Sequence, residues 1–203
     1  MTNMGVARII KSLRNRTALA GQLLRGAATR LTLPGVLDGG ESLRRGRNVS
    51  LIVYGRLSLG EGVTLSDGCA LEVGPRAHIM IGSRTFIGRH SVIASQDQIQ
   101  VGERCLVAES CSIRDQDHHV DPDERLRETR AVTGAVVIED NVWIGAGVRV
   151  LRGSRIGEGA VIAANAVVRG EIPVRTVAGG IPARVIRSAT TPGERPDEPE
   201  RLR

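Results

Sequence analysis

Aromatic residues are almost missing from this 203-residue sequence, which holds one Trp, one Tyr and one Phe. Recognition of nucleic acid by stacking bases on a platform of rings is therefore excluded, and the core must be built from Val, Ile, Leu and Ala. Long apolar runs are missing as well: none approaches the ~20 residues that cross a bilayer. Arg8, Lys11, Arg14 and Arg16 interrupt the opening stretch before a secretory apolar segment can form. Three cysteines, Cys69, Cys105 and Cys111, cannot pair completely. Together these absences point to a reducing cytoplasm. What is present, 41% hydrophobic and 25% charged residues, suits one large domain and is too little for two.

Charge divides the chain. Residues 1–47 carry nine cations (Arg8, Lys11, Arg14, Arg16, Arg25, Arg30, Arg44, Arg45, Arg47) against Asp38 and Glu41, a net +7 within a total of +6. The remainder is close to neutral. Within 6–31, apolar residues at Val6, Ile10, Leu13, Ala20, Leu24, Ala27 and Leu31 alternate with Arg and Lys, which predicts a basic amphipathic helix or helix pair ended by Pro34-Gly35. At the other end, 188–203 has almost no apolar content and is expected to be a disordered tail.

Between these ends an aliphatic residue recurs every six positions, often followed by Gly or Ala. In the second half the register is strict: Ile138, Ile144, Val150, Ile156, Ile162, Val168. Four places after each comes a small or branched residue, in the column Val142, Val148, Ser154, Ala160, Ala166, Ile172. The first half repeats the pattern at Leu59, Leu65, Val73, Ile81, Ile87, Ile93, Val101, Val107 and Ile113, with occasional eight-residue steps. An α-helix cannot keep this period on one face, since every sixth residue turns by about 240°. Short strands that turn a corner every six residues can. Three such strands close one triangular coil, so about fifteen hexads make about five coils, a prism of roughly 24 Å. The narrow interior explains the shortage of rings. The cysteines occupy the small inward column and read as buried packing thiols without a disulfide.

The hexads stop between Ile113 and Ile138, where the excursion RDQDHHVDPDERLRETRAVTGAV begins, a loop of 115–135 held by a rigid scaffold. It carries His118 and His119 beside Asp115, Asp117 and Asp121. Imidazole next to carboxylate suits a general base, because the carboxylate fixes the tautomer and favours the imidazolium that forms.

The stretch VVIEDNVWIGAGVRVLRGSRIGEGAVIAANAVVRGEIPVRTVAGGIPARVIR closely resembles the C-terminal half of hexapeptide-repeat acyltransferases, in particular the galactoside, maltose and nodulation-factor acetyltransferases and their capsule and O-antigen O-acetyltransferase relatives. The resemblance covers about 57–187, through the NVWIG, hexad and AGGIPARVIR elements. It implies an all-β fold, a left-handed parallel β-helix, which the periodicity alone could not have supplied because ordinary parallel crossovers are right-handed. With the arm, the expected domains are 1–47, a basic and partly helical N-terminal arm; 48–187, the β-helix; and 188–203, the tail. The resemblance also implies a homotrimer with acetyl-CoA lying between neighbouring prisms, and direct transfer to an acceptor hydroxyl. His118 takes the family's catalytic slot, with His119 in place of the usual proline and Arg125 seven positions after His118. A backbone N–H near Gly145 and Ala146 is expected to stabilise the oxyanion, and Trp143 to wall the thioester end. Ala164 is expected beside the pantetheine arm, and Arg184 and Arg187 at the nucleotide phosphates. Arg169 stands where relatives often have Thr or Ser.

Other readings compete. His118 could be a loop histidine at the surface, His90 an acceptor contact or a solvated corner residue, and His78 structural. Asp117 and Arg125 are candidate acceptor contacts. Zinc, as in γ-type carbonic anhydrases of the same solenoid class, needs three spaced histidines, whereas His118 and His119 are adjacent; no metal is expected. A non-catalytic assembly subunit would keep the hexads and could lose both His118 and the IPARVIR arginines. The acceptor is read as a sugar or oligosaccharide hydroxyl, with an amino sugar, serine or a xenobiotic as alternatives. The arm either caps the trimer or brings the enzyme to an anionic membrane surface on the cytoplasmic side.

Overall fold

The computed structural model describes residues 19–28, 37–119 and 131–189. Every aliphatic named in the six-residue register is buried, from Leu59 through Ile113 and from Ile138 through Val168. Side chains alternate across a strand, so a turn every six residues returns the same column to the interior on each successive face. Three parallel stacks result. The first face holds Leu37–Gly39, Arg56–Leu59, His78–Ile81, Gln98–Val101, Val136–Ile138, Arg155–Ile156 and Glu171–Ile172. The second holds Arg44–Arg45, Thr64–Leu65, Phe86–Ile87, Leu106–Val107, Trp143–Ile144, Val161–Ile162 and Thr176–Gly180. The third holds Ser50–Val53, Ala70–Val73, Val92–Ser95, Ser112–Arg114, Arg149–Val150 and Val167–Val168. Register is kept coil on coil; Ile79, for example, lies between Leu57 and Ile99.

The solenoid has seven rungs on its first face rather than the expected five, which makes it about 30 Å tall. Its parallel coils are consistent with the left-handed winding that the resemblance implies. One additional coil lies upstream, at Leu37–Val53, so the solenoid starts at Leu37 and not at residue 48. Leu43 and Val49 carry the hexads back into that stretch and are buried, but Arg44, Arg45 and Arg47 beside them read as arm. Arg44 and Arg47 are exposed, but Arg45 stands in the inward column itself, in register with buried Leu65, half-buried and with its pKa lowered by burial, so a charge at a core position hid the repeat. All three rings point outward: Tyr54 is 71% exposed, Phe86 37% and Trp143 52%.

The small inward column does more than fill space. Cys69 Sγ donates to Gly88 O at 3.0 Å, Cys105 Sγ to Glu139 O at 3.1 Å and Cys111 Sγ to Gly145 O at 3.2 Å. Thr85, Ser91 and Ser154 do the same with their hydroxyls, to Gly102 O, Ala108 O and Val168 O. A carbonyl of the adjacent coil gains a donor at each place, which a buried acceptor needs. The cysteines are free, and burial pushes their thiols above the usual range.

Of the predicted N-terminal helix, 19–28 is described and helical. It packs on the first coil: a Cβ on buried Gly26 would collide with Leu43 O, and Arg25 Nε donates to Arg45 O at 3.0 Å and Gly46 O at 3.2 Å. At the C-terminus, Ala183–Ser188 folds back antiparallel on Thr176–Gly180, and Ala189 N–H bonds to Arg175 O at 2.7 Å. Ser188 thus closes the hairpin instead of opening the tail, whose residues 190–203 lie outside the described ones.

Candidate functional site

Two of the three corner columns carry the candidate residues. The corner between the second and third faces takes one residue per coil in the left-handed region: Asn48, Gly68, His90, Ser110, Gly147 and Asn165, with φ between 54° and 74°. The requirement for positive φ explains Gly and Asn here. His90 is a non-glycine occupant at 57°, and a Cβ on Gly68 would collide with its Nδ1. Gly145, Ala146 and Ala164 belong to the same corner. Gly145 lies flat against the next coil, where an added Cβ would come 2.7 Å from Ala164 N and 2.8 Å from Ile162 O. The N–H of Gly145 donates to Ile162 O at 2.8 Å and is not available to an oxyanion. Ala146 N–H makes no hydrogen bond among the described residues, while its carbonyl accepts from Asn165 N–H. Ala164 is exposed beside it. Trp143, at the outward position just before this corner, stacks between Leu106 and Val161.

The corner between the third and first faces is where the excursion leaves. Asp115 turns inward, is fully buried, and fastens the corner below: its Oδ2 accepts from Ser95 Oγ at 2.6 Å and Asp97 N–H at 3.0 Å, its Oδ1 from Gln96 N–H at 2.9 Å. Beyond it, Gln116–His118 pairs antiparallel with Ala131–Thr133, a short ribbon pinned by Gly134 N–H to Asp115 O and Gly153 N–H to Gly134 O, each 2.8 Å. Asp117 Oδ2 is 2.8 Å from Arg152 Nε. Neighbours on a strand point to opposite sides, so His118 faces away from that ion pair. It is exposed, and its ring has no hydrogen-bond partner among the described residues. Of the three carboxylates beside the histidines, Asp115 and Asp117 are thus engaged elsewhere, one as a buried anchor and one in an ion pair that positions the ribbon. Asp121 and Arg125 lie outside the described residues. His119 is exposed.

Arg184 and Arg187 project from the terminal hairpin, exposed, opposite Gly179 and Val177 respectively. His78 is held by Ser58 Oγ, 2.8 Å from its Nε2, on the first face; burial first, and then the charge of Arg56, lower its pKa. That is a structural setting. Among the described residues no group of three or more His, Cys, Asp or Glu is placed to hold a metal ion.

One face of the prism therefore stands between His118 and the Gly145–Ala146–Ala164 corner. A four-residue strand such as Val92–Ser95 spans roughly 13 Å, and His90 lies on the far side with Ala146. A single prism does not bring these residues together.

Residues 135–170 match the family described as bacterial transferase hexapeptide (six repeats). A hexapeptide-repeat-containing acetyltransferase of Vibrio cholerae, VCA0836, superposes with a TM-score of 0.56 at 30% identity, covering 72% of this chain and 73% of that one. The chain belongs to the hexapeptide-repeat acetyltransferases. AntD, an N-acyltransferase of Bacillus cereus in complex with dTDP and 3-hydroxybutyryl-CoA, shares the fold with a TM-score of 0.61 at 22% identity over 71% of this chain and 82% of its own. The "Putative lipopolysaccharide biosynthesis O-acetyl transferase WbbJ" of Escherichia coli (strain K12) is 36% identical over 69 residues, 34% of this chain. The chain spans about a third of the length of that relative, 33%. Within this hexapeptide-repeat chain, three features escaped sequence reading: the anchoring role of Asp115, the Arg152 partner of Asp117, and the outward column discussed below.

Proposed function

We propose that this hexapeptide-repeat protein is an acetyl-CoA-dependent O-acetyltransferase acting on a sugar or oligosaccharide hydroxyl, and that its site forms between two copies in a homotrimer. His118 of one copy takes the proton of the acceptor hydroxyl as the new C–O bond forms at the thioester carbonyl. The C–S bond then breaks, and the proton passes to the departing coenzyme sulfur. No covalent acyl-enzyme is required. The second copy supplies the corner: Ala146 N–H to the oxyanion, Trp143 against the thioester end, small Ala164 beside the pantetheine arm, and Arg184 and Arg187 for the nucleotide phosphates. The residues fit such a cosubstrate, because the corner is free of side-chain bulk where a thin chain must pass and cationic where phosphates would end.

The observation that carries this reading is the separation of an unpartnered histidine from a corner with an unpaired N–H, on opposite edges of one face. A threefold arrangement sets one edge against its neighbour's other edge. The outward column Phe86, Leu106 and Trp143 of the second face, each more than a third exposed, supports an association of prisms. Support for a sugar acceptor comes from the similarity to WbbJ, an O-acetyl transferase of lipopolysaccharide biosynthesis by name. No described helix is long and apolar enough to cross a membrane. Helix 19–28 lies on the first coil, which supports the capping role of the arm.

The test is release of the coenzyme thiol from acetyl-CoA with and without sugar acceptors, with products read by mass spectrometry. Acceptor-dependent release with a mass gain of one acetyl group is expected. Absence of turnover with every acceptor, together with no acetyl-CoA binding, would leave a non-catalytic assembly subunit as the better reading.

A further inference from the structure

The third face carries a trough that none of the residues above explains. Its strands present two outward columns where they approach the excursion. One runs Ile52, Glu72, Ala94 and Arg114; the next, one corner position further, runs Tyr54, Gly74, Gln96 and then Gln116 of the ribbon. Gly74 and Ala94 are the smallest members of their columns and sit between large neighbours, so the surface sinks there. The result is a cavity of about 420 Å³ lined by both columns, within the size range of small-ligand sites. Gly74 cannot be larger without displacing Gln96, whose Oε1 occupies the place of its missing Cβ.

Its chemistry is mixed in a particular way. Tyr54 is 71% exposed and offers an unencumbered ring face, while Glu72, Gln96 and Gln116 surround the floor with acceptors and amide donors. Gln116 Oε1 is buried without a hydrogen-bond partner, a condition that native structures rarely tolerate. Turning that amide toward the cavity forfeits no hydrogen bond and allows one to be made. Gln116 and His118 are two apart on one strand and share its face, about 7 Å apart.

We propose that this trough is the acceptor subsite of the His118 reaction and that it takes a pyranose ring. The C–H face of the sugar lies on Tyr54, its hydroxyls reach Glu72, Gln96 and Gln116, and one hydroxyl is thereby set beside His118. The same copy thus supplies acceptor and base, and the neighbour supplies the thioester. This assignment rests on the acetyltransferase reading of His118, so binding and turnover are measured separately.

The probe is a panel of methyl pyranosides (gluco, galacto and manno) presented to the full chain, with ligand-observed saturation-transfer NMR as the binding readout. Signal is expected for at least one pyranoside in the wild type and in His118→Ala, and is expected to fall about tenfold in Tyr54→Ala and Gln116→Leu, the scale of one lost contact or hydrogen bond. In turnover, those two variants should raise acceptor KM about tenfold and leave acetyl-CoA KM unchanged. Both positions lie at the surface of the solenoid, and thermal melting checks that the variants fold. Trough-dependent binding without any acetyl transfer would retain the subsite and refute the catalytic reading. Transfer that proceeds with wild-type acceptor KM in both variants would do the reverse. No pyranoside signal in the wild type would overturn the proposal.

Discussion

The two corners that flank the third face are made of the same repeat and differ in what they leave open. The corner at Ala146 is closed by backbone: each coil places one residue at positive φ, hydrogen bonds run from coil to coil, and Gly145 has no room for a side chain. Such a corner can offer a smooth channel and one N–H, and little else. The corner at Asp115 is interrupted. There a buried carboxylate replaces the missing coil contacts, a ribbon is expelled, and polar side chains gather around it. Regularity suits a long, thin cosubstrate; interruption suits an acceptor that must be recognised by its hydroxyls.

The largest expected effect separates these corners directly. His118→Ala should slow transfer by about 10² to 10⁴-fold while leaving oligomeric state and acetyl-CoA binding intact; unchanged turnover would move the base elsewhere. Next comes the rigidity of the regular corner, where Cys111 bonds to Gly145 O. Burial raises all three thiols, so in the native protein a disulfide reagent should react about 10²-fold more slowly than after unfolding. The sign for stability follows: above the ordinary thiol range the unfolded chain ionises first, and stability should fall as pH rises. Fast labelling of Cys69 or Cys111 in the native chain would mean that this corner opens.

Ala164→Trp tests the channel. It should raise acetyl-CoA KM at least tenfold and leave pyranoside binding alone; the opposite split would exchange the roles of the corners. Arg152→Ala is the smallest change. The pair with Asp117 is substantially exposed, at 38% and 54%, so its loss should cost under about 1 kcal/mol in a melt and lower turnover only a few-fold through a looser ribbon. A loss as large as that of His118→Ala would make the ion pair part of the chemistry.

Periodicity made the interior legible residue by residue. Ile144, Val150 and Ile156 could be assigned inward from spacing alone, because a six-residue turn leaves no other face for them. Leu43 and Val49 follow the same rule, yet Arg45, at the inward position in register with Leu65, interrupts the aliphatic column and concealed the first coil. The chain leaves the solenoid just after Ile113, the point where the hexads stop. Which way Asp117 and His118 point depends on the antiparallel register with Ala131–Thr133, and nothing in the sequence fixes that pairing. Tyr54, Gly74, Gln96 and Gln116 are spaced by 20, 22 and 20 residues, a column that becomes visible only once the coil lengths are known.

The most direct measurement mixes two impaired chains, assayed at acetyl-CoA well below the wild-type KM, where a tenfold rise in KM leaves Ala164→Trp at most about a tenth of wild-type turnover. His118→Ala and Ala164→Trp are unfolded together, refolded at equal amounts, and assayed for acetyl transfer, with mixed trimers counted by native mass spectrometry. If each site joins His118 of one copy to the Ala146–Ala164 corner of the next, about a quarter of the sites in random mixtures regain both intact parts, and activity should return to about that fraction of wild type. Mixed trimers no more active than the average of the two parents would show that base and thioester corner belong to a single prism, contrary to this account.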